Sequence, residues 1–198
     1  MASNMRIGRC STYLDSWTKR SFDIVICLLL LPPALIVMGL AGLNILLRDG
    51  RPVFFVHYRV GRNGRLFWLP KLRTLRSDVD PYKLLTESEK ESLATVTGKP
   101  LRRHRIDELP QLFSVLTGRM SLVGPRPELP NFEATNRCFD KKRLCARPGI
   151  TGLWQIMADH DADMSQNIKY DLYYLRKASL WLDLRILAMT VPFVLNPK

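Results

Sequence analysis

Residues 24–47 read IVICLLLLPPALIVMGLAGLNILL, an uncharged run interrupted only by Pro32-Pro33. As a straight helix it would reach about 36 Å, enough for a hydrocarbon core of about 30 Å. Two features oppose a simple crossing. The adjacent prolines delete two backbone donors and crowd the preceding turn, so a sharp bend is expected there. Both flanks are also basic: Arg6, Arg9, Lys19 and Arg20 precede the run, and Arg48, Arg51, Arg59, Arg62 and Arg65 follow it. The positive-inside rule then puts both ends on the cytoplasmic side. A Pro-kinked re-entrant helix over residues 19–48 satisfies both constraints. Carbonyls freed at the kink would need a partner, such as Asn44 or a packed neighbouring helix. The run is too long and too far from the start for a signal peptide. It is followed by Arg48-Asp49-Gly50-Arg51-Pro52 rather than a cleavage site, so its retention is expected.

The 198 residues suffice for one domain with a core. A formal net charge of +12 points to anionic partners: acidic lipid, phosphorylated substrates or nucleic acid. Nucleic acid is disfavoured, because the cations are spread over turns with no recognition helix or stacking motif. Cys10, Cys27, Cys138 and Cys145 form no C-x-x-C pair, so neither zinc nor a disulfide framework is expected, and a reducing compartment fits.

Beyond the apolar run, Val53 to Phe55 and Leu66 to Leu69 read as a small β-hairpin around Gly61-Arg62-Asn63-Gly64. Asp80-Pro81 is a helix-start signal for an acidic helix through Glu87, Glu89 and Glu91. Asp107 starts a helix that runs to about Leu116 and stops at Gly118. Gly124-Pro125-Arg126-Pro127 is a rigid loop, and residues 147–152 (RPGITG) a second fixed turn. A polar helix is expected from Ser165 to Lys177. The final apolar segment, Leu180 to Leu195, carries Asp183 and Arg185 and suits an amphipathic helix lying at the interface. The fold class is therefore an α-dominated α+β, monotopic membrane protein forming one domain over residues 1–198. Residues 19–48 form its re-entrant helix, 49–178 its cytoplasmic catalytic part, and 179–198 its interfacial C-terminus.

The candidate chemistry lies in Arg102-Arg103-His104-Arg105-Ile106-Asp107-Glu108. Alone, Asp107 would read as a helix cap and Glu108 as a complement to the helix dipole. Arg102, Arg103 and Arg105 change that reading, with Lys71, Arg73 and Arg126 on nearby turns. A carboxylate among such cations is expected to keep a low pKa and to serve as nucleophile or metal ligand. The cations could hold a diphosphate. Attack by one anion on another needs charge neutralisation, which Mg²⁺ on Asp107 and Glu108 would supply. His57, His104 and His160 are scattered and read as packing or surface residues. Asp159, Asp161 and Asp163 alternate as at the start of a calcium loop, but the following Gly is missing and Tyr170 stands where the closing Glu belongs.

Taken in order, the motifs resemble those of the small monotopic phosphoglycosyl transferases, a bacterial sugar transferase family. They are Lys19-Arg20-x-x-Asp23, the Pro-broken apolar helix, Arg59-x-Gly61, Lys71-Leu72-Arg73-Thr74, residues 107–112 (DELPQL), residues 120–127 (MSLVGPRP), residues 148–152 (PGITG), and the segment from Ser179 to Thr190. The resemblance implies Mg²⁺-dependent transfer of a sugar 1-phosphate from a UDP-sugar to undecaprenyl phosphate, with release of UMP. It implies a site on the cytoplasmic face of the bacterial inner membrane, in contact with anionic lipids. Asp107 is then the nucleophile and Glu108 its partner in metal binding or proton handling. Arg126 binds the nucleotide donor; Arg102, Lys71 and Arg73 face phosphate. Lys19, Arg20 and Asp23 anchor the membrane helix at the interface. The sequence departs from the family where Pro32-Pro33 replaces the usual Ser-Pro, and where Asp159 stands in the place of an Arg usual after the Pro-Gly-Ile-Thr-Gly turn, reversing a charge near the expected donor site. It looks like the catalytic unit alone, without the added N-terminal membrane domain of many relatives. A catalytically silent, lipid- or partner-binding member of the fold is the alternative reading. A homodimer is compatible with a membrane-surface enzyme, although no residue argues for one.

Overall fold

The computed structural model describes residues 10–80, 82–83, 85–130, 141–157 and 164–195. Its longest element is α1, Trp17–Arg48, capped by Ser16, whose hydroxyl accepts from the Lys19 backbone at 3.1 Å. The helix runs on through Pro32 and Pro33, so the expected kink does not appear as a break in the helix. Two adjacent prolines delete only two rungs of the hydrogen-bond ladder, and the turns on either side persist. An 18-residue window of α1 has a mean hydropathy of 2.7, long and apolar enough to cross a membrane. Leu28, Leu29, Ile36, Leu40 and Leu47 are exposed.

One stripe of α1 is buried: Lys19, Asp23, Cys27, Ala34, Met38, Ala41 and Ile45. Their spacing keeps them on one helical face. Cys27 and Ala34 join a core with Leu112, Val115, Leu122, Tyr174 and Ile186. Ala41 and Ile45 join a second cluster with Leu72 and Leu101. Both halves of α1 thus dock on the rest of the chain.

The hairpin is present and longer than the apolar runs suggested. Strands β1 (Phe54–Val60) and β2 (Leu66–Leu72) pair antiparallel, from Phe54 opposite Leu72 to Val60 opposite Leu66. The polar stretch His57-Tyr58-Arg59 is held in strand by the partner strand, including a stack of Tyr58 on Trp68. The turn at its tip has Asn63 and Gly64 at positive φ.

The acidic helix α2, Glu87–Ser92, starts at Thr86 rather than Asp80. Thr86 and Glu89 form a reciprocal capping box, a stronger start than Asp80, which instead accepts from the Tyr82 backbone at 2.9 Å. Helix α3 is Gly98–Arg103; a 3-10 helix, Ile106–Gln111, leads into α4, Leu112–Leu116. Residues 147–152 do not form a mere turn. Gly149–Thr151 is strand β4, parallel to β3, Ser121–Val123. Glycine permits the pairing, since a Cβ at Gly149 would overlap the Gly124 backbone. Helices α5 (Leu153–Met157), α6 (Met164–Lys177) and α7 (Leu180–Leu195) complete the chain.

Two expectations are corrected. Cys10 and Cys145 form a disulfide, although 135 residues separate them; only folding brings so distant a pair together. Lys19 and Asp23, expected at the lipid headgroups, are 2% and 1% exposed inside the protein. Lys19 Nζ donates to Asp23 at 3.0 Å, to Asp183 of α7 at 2.8 Å and to the Val123 carbonyl at 3.2 Å. An ammonium so far from water must find carboxylates, and the fold supplies two. Arg20 donates to the Val115 and Leu116 carbonyls, capping the end of α4.

Replacing Lys19 with Met leaves Asp23 and Asp183 buried without their cation. The variant is expected to lose about 3–5 kcal/mol of stability, measured by denaturant unfolding in detergent. A midpoint equal to that of the parent protein would contradict this role.

Candidate active site

The turn ahead of the carboxylate pair is fixed from two sides. Helix α3 starts where Gly98 meets the Thr74 backbone so closely that a Cβ would overlap it. After α3, Arg105 takes a left-handed φ of 53° and redirects the chain into the 3-10 helix. A non-glycine residue holds that conformation only when its surroundings enforce it. Here His104 Nδ1 lies 3.0 Å from the Val194 carbonyl, and the Arg105 guanidinium sits 5.0 Å from the Phe193 ring centroid. Both contacts are to α7.

This turn presents Asp107 and Glu108 in different environments. Glu108 accepts from Lys71 Nζ at 2.6 Å, and Arg105 lies 3.8 Å away. Burial works against its charge, but Lys71, Arg105 and Arg126 hold its pKa well below the usual carboxylate range. Asp107 is 5% exposed. Burial raises its pKa above the usual carboxylate range; Lys71, Arg102 and Arg105 only partly offset this, and the Glu108 charge adds to the rise. The expectation of a low pKa therefore holds for Glu108 and fails for Asp107, where desolvation outweighs the cations.

Glu108, Lys71 and Arg126 line one cleft together with Arg59, Gln111 and Gln155. Asp107 does not line it and lies buried beside Glu108. Arg102 is half-buried and acts on Asp107 through its charge. Arg73 is not in the site. Strand β2 ends at Leu72, and the Arg73 guanidinium turns to donate to the carbonyls of Asp49, Gly50 and Arg51. It closes the chain end of α1 instead of facing phosphate. Arg126 makes no side-chain hydrogen bond or ion pair among the described residues. Its loop is braced by buried Arg143, which pairs with Glu128 at 2.8 Å and Asp171 at 2.6 Å and donates to the Arg126 carbonyl. Arg59, Gln111 and Gln155 were not singled out as site residues. Arg59 and Gln111 stood within quoted motifs and Gln155 just beyond one, but none was assigned a role.

Among the described residues no three Asp, Glu, His or Cys side chains cluster into a closed metal cage. Two adjacent carboxylates, one of them lining a cation-walled cleft, are the oxygen donors a hard divalent ion such as Mg²⁺ would take, and Asp107 and Glu108 are the residues that would hold it. The aspartates 159, 161 and 163 lie outside the described residues.

Removing the Lys71 charge by Lys71→Met is expected to raise the pKa of both Asp107 and Glu108, because it lowers both in the parent. Carboxylate titration by carbon-13 NMR reads this; unmoved titrations would dissolve the proposed coupling.

The family model described as bacterial sugar transferase matches residues 14–197. The exopolysaccharide production protein ExoY of Rhizobium meliloti is 36% identical over 91% of this chain and 87% of its own length. The undecaprenyl-phosphate galactose phosphotransferase of Salmonella typhimurium is 37% identical over 90% of this chain. An undecaprenyl-phosphate glucose phosphotransferase of Komagataeibacter xylinus is 35% identical over 89% of it. The chain spans only 40% and 36% of those two proteins. With the carboxylate pair, the cation-lined cleft and the apolar helix docked on one body, the chain belongs to the bacterial sugar transferase family.

Proposed function

We propose that the protein is a phosphoglycosyl transferase that moves a sugar 1-phosphate from a UDP-sugar to undecaprenyl phosphate. The observation that carries this reading is the ionised Glu108–Lys71 pair beside buried Asp107, in a cleft walled by Arg59 and Arg126. Asp107 is the nucleophile. Its carboxylate oxygen attacks the phosphorus that carries the sugar, and the bond from that phosphorus to the bridging oxygen breaks. UMP leaves with the bridging oxygen and its electron pair. A phosphate oxygen of undecaprenyl phosphate then attacks the same phosphorus and displaces Asp107, giving the lipid diphosphosugar. Arg126, Arg59 and Lys71 oppose the donor's negative charge, which otherwise repels the carboxylate. Mg²⁺ held by Asp107 and Glu108 would add charge neutralisation at the phosphate oxygens.

The membrane reading follows from the docking of α1. Its start is tied to Asp183 and its end packs on Leu72 and Leu101. A helix crossing the bilayer would leave one end on the far side, so the contacts favour both ends of α1 lying on the same face of the membrane. Helix α7 offers exposed Leu180, Trp181, Leu184, Val191 and Leu195 to the interface. The site would then face the cytoplasm at the bacterial inner membrane, where a lipid phosphate and a soluble nucleotide sugar meet. The basic surface suits its anionic lipids.

Purified protein is expected to release UMP from one member of a UDP-sugar panel when undecaprenyl phosphate and Mg²⁺ are present. Asp107→Asn should abolish release while leaving the protein in the membrane fraction; near-parental turnover would remove Asp107 as nucleophile. The nucleophile must be ionised, so the rate should fall toward acid pH as Asp107 takes up its proton, and a rate constant that stays level across the acid range would contradict an Asp107 attack. Chelation by EDTA should stop turnover and added Mg²⁺ restore it.

A further inference from the structure

Strand alternation puts Phe55, His57 and Arg59 on one face of β1, and the facing residues of β2 are Lys71, Leu69 and Phe67. This face is the hairpin wall of the cleft. On it, Arg59 Nε donates to His57 Nε2 at 2.8 Å, and one terminal nitrogen donates to the Pro127 carbonyl at 3.3 Å. His57 is buried at 4% exposure, stacked on Phe55.

The direction of that bond fixes the state of the imidazole. A guanidinium only donates, so Nε2 must accept and the ring is neutral, with its proton on Nδ1. Burial, Arg59 and Lys71 all push the His57 pKa down, to about 3, in agreement with the geometry. The choice of partner has an electrostatic consequence. Arg143 is neutralised by Glu128 and Asp171, and Lys71 by Glu108. Arg59 is oriented by an uncharged acceptor and makes no salt bridge among the described residues, although the Glu128 and Glu108 charges act on it from a distance. Arg126 beside it likewise has no ion pair among the described residues, and its charge bears on Arg59. Two guanidiniums lining one cleft, neither in a salt bridge among the described residues, form a site for a phosphate anion.

We infer that Arg59 binds the diphosphate of the nucleotide donor and that His57 is its positioning residue, aiming the guanidinium without cancelling its charge. This rests on the reading of the cleft as a UDP-sugar site. The shared chemistry is phosphate, which the lipid acceptor also carries, so the probes separate the two.

The test is calorimetric binding of UDP, inorganic pyrophosphate, farnesyl phosphate and uridine to the whole protein in detergent, with melting temperature as a folding control. Arg59→Ala should weaken UDP and pyrophosphate at least about tenfold and leave uridine unaffected. Arg59→Lys, which keeps the charge and loses the fork, should fall between. His57→Leu loses the acceptor and should approach Arg59→Ala. His57→Glu keeps an acceptor but adds a neutralising charge, and should weaken pyrophosphate as much. His57→Gln supplies a neutral amide oxygen and should stay within about threefold of the parent. Parental affinity in folded Arg59→Ala, or in both His57→Leu and His57→Glu, would overturn the inference. So would Arg59-dependent binding of farnesyl phosphate without UDP or pyrophosphate, which would give the site to the acceptor. A parent that binds none of the anions overturns it as well. Arg59-dependent pyrophosphate and UDP binding with no UMP release from any donor would leave this inference standing and sink the proposed reaction instead.

Discussion

Lys19 Nζ lies between the carboxylates of Asp23 and Asp183 with almost no exposure to water, and much of the fold converges on that point. The cluster carries one positive and two negative charges, so it needs further donors. Tyr13 and Tyr174 hydroxyls bond Asp183, and the Ser121 hydroxyl and Leu122 amide bond Asp23. Through these bonds the N-terminal turn, α1, β3, α6 and α7 share one satisfied polar network. Desolvation makes such a network weak as a net source of stability and severe in its penalties when incomplete. Its function is registry: it fixes where the apolar helix leaves the protein and where α7 lies.

Catalytic geometry depends on that registry. Helix α7 carries Asp183 at one end and, at the other, Phe193 and Val194 against Arg105 and His104. Those contacts hold the left-handed turn that delivers Asp107 and Glu108. The element that suits the membrane interface is thus the one that shapes the turn before the carboxylates. Across the cleft, charge is distributed with equal economy. Some cations are tied up in structure, as Arg73 is on carbonyls and Arg143 on carboxylates, while Arg59 and Arg126 make no salt bridge among the described residues. The same residue type serves both ends, and only its neighbours separate the uses.

Much of this was legible in the chain. The apolar run, the hairpin turn at Gly61 to Gly64, the polar and final apolar helices and the Asp107-Glu108 pair rest on local signals, and the structure places them close to where those signals put them. The misreadings share a cause. Lys19, Asp23 and Arg73 look like surface charges because their partners, Asp183 and the Asp49–Arg51 carbonyls, are remote in sequence or are backbone atoms. Residues 147–152 read as a turn because three-residue parallel pairing leaves no periodic trace. Cys10 and Cys145 gave no spacing to read.

The sequence by itself determined the elements, the apolar helix and the chemistry of the adjacent carboxylates, since these depend on hydrophobicity, turn residues and side-chain type within a few positions. Tertiary structure alone decided which charges are buried and which of two neighbouring carboxylates is hard to ionise. Asp107 and Glu108 are chemically alike and adjacent. Their pKa values part because burial opposes both charges, and only Glu108 gains a direct hydrogen bond from Lys71 and the added pull of Arg126.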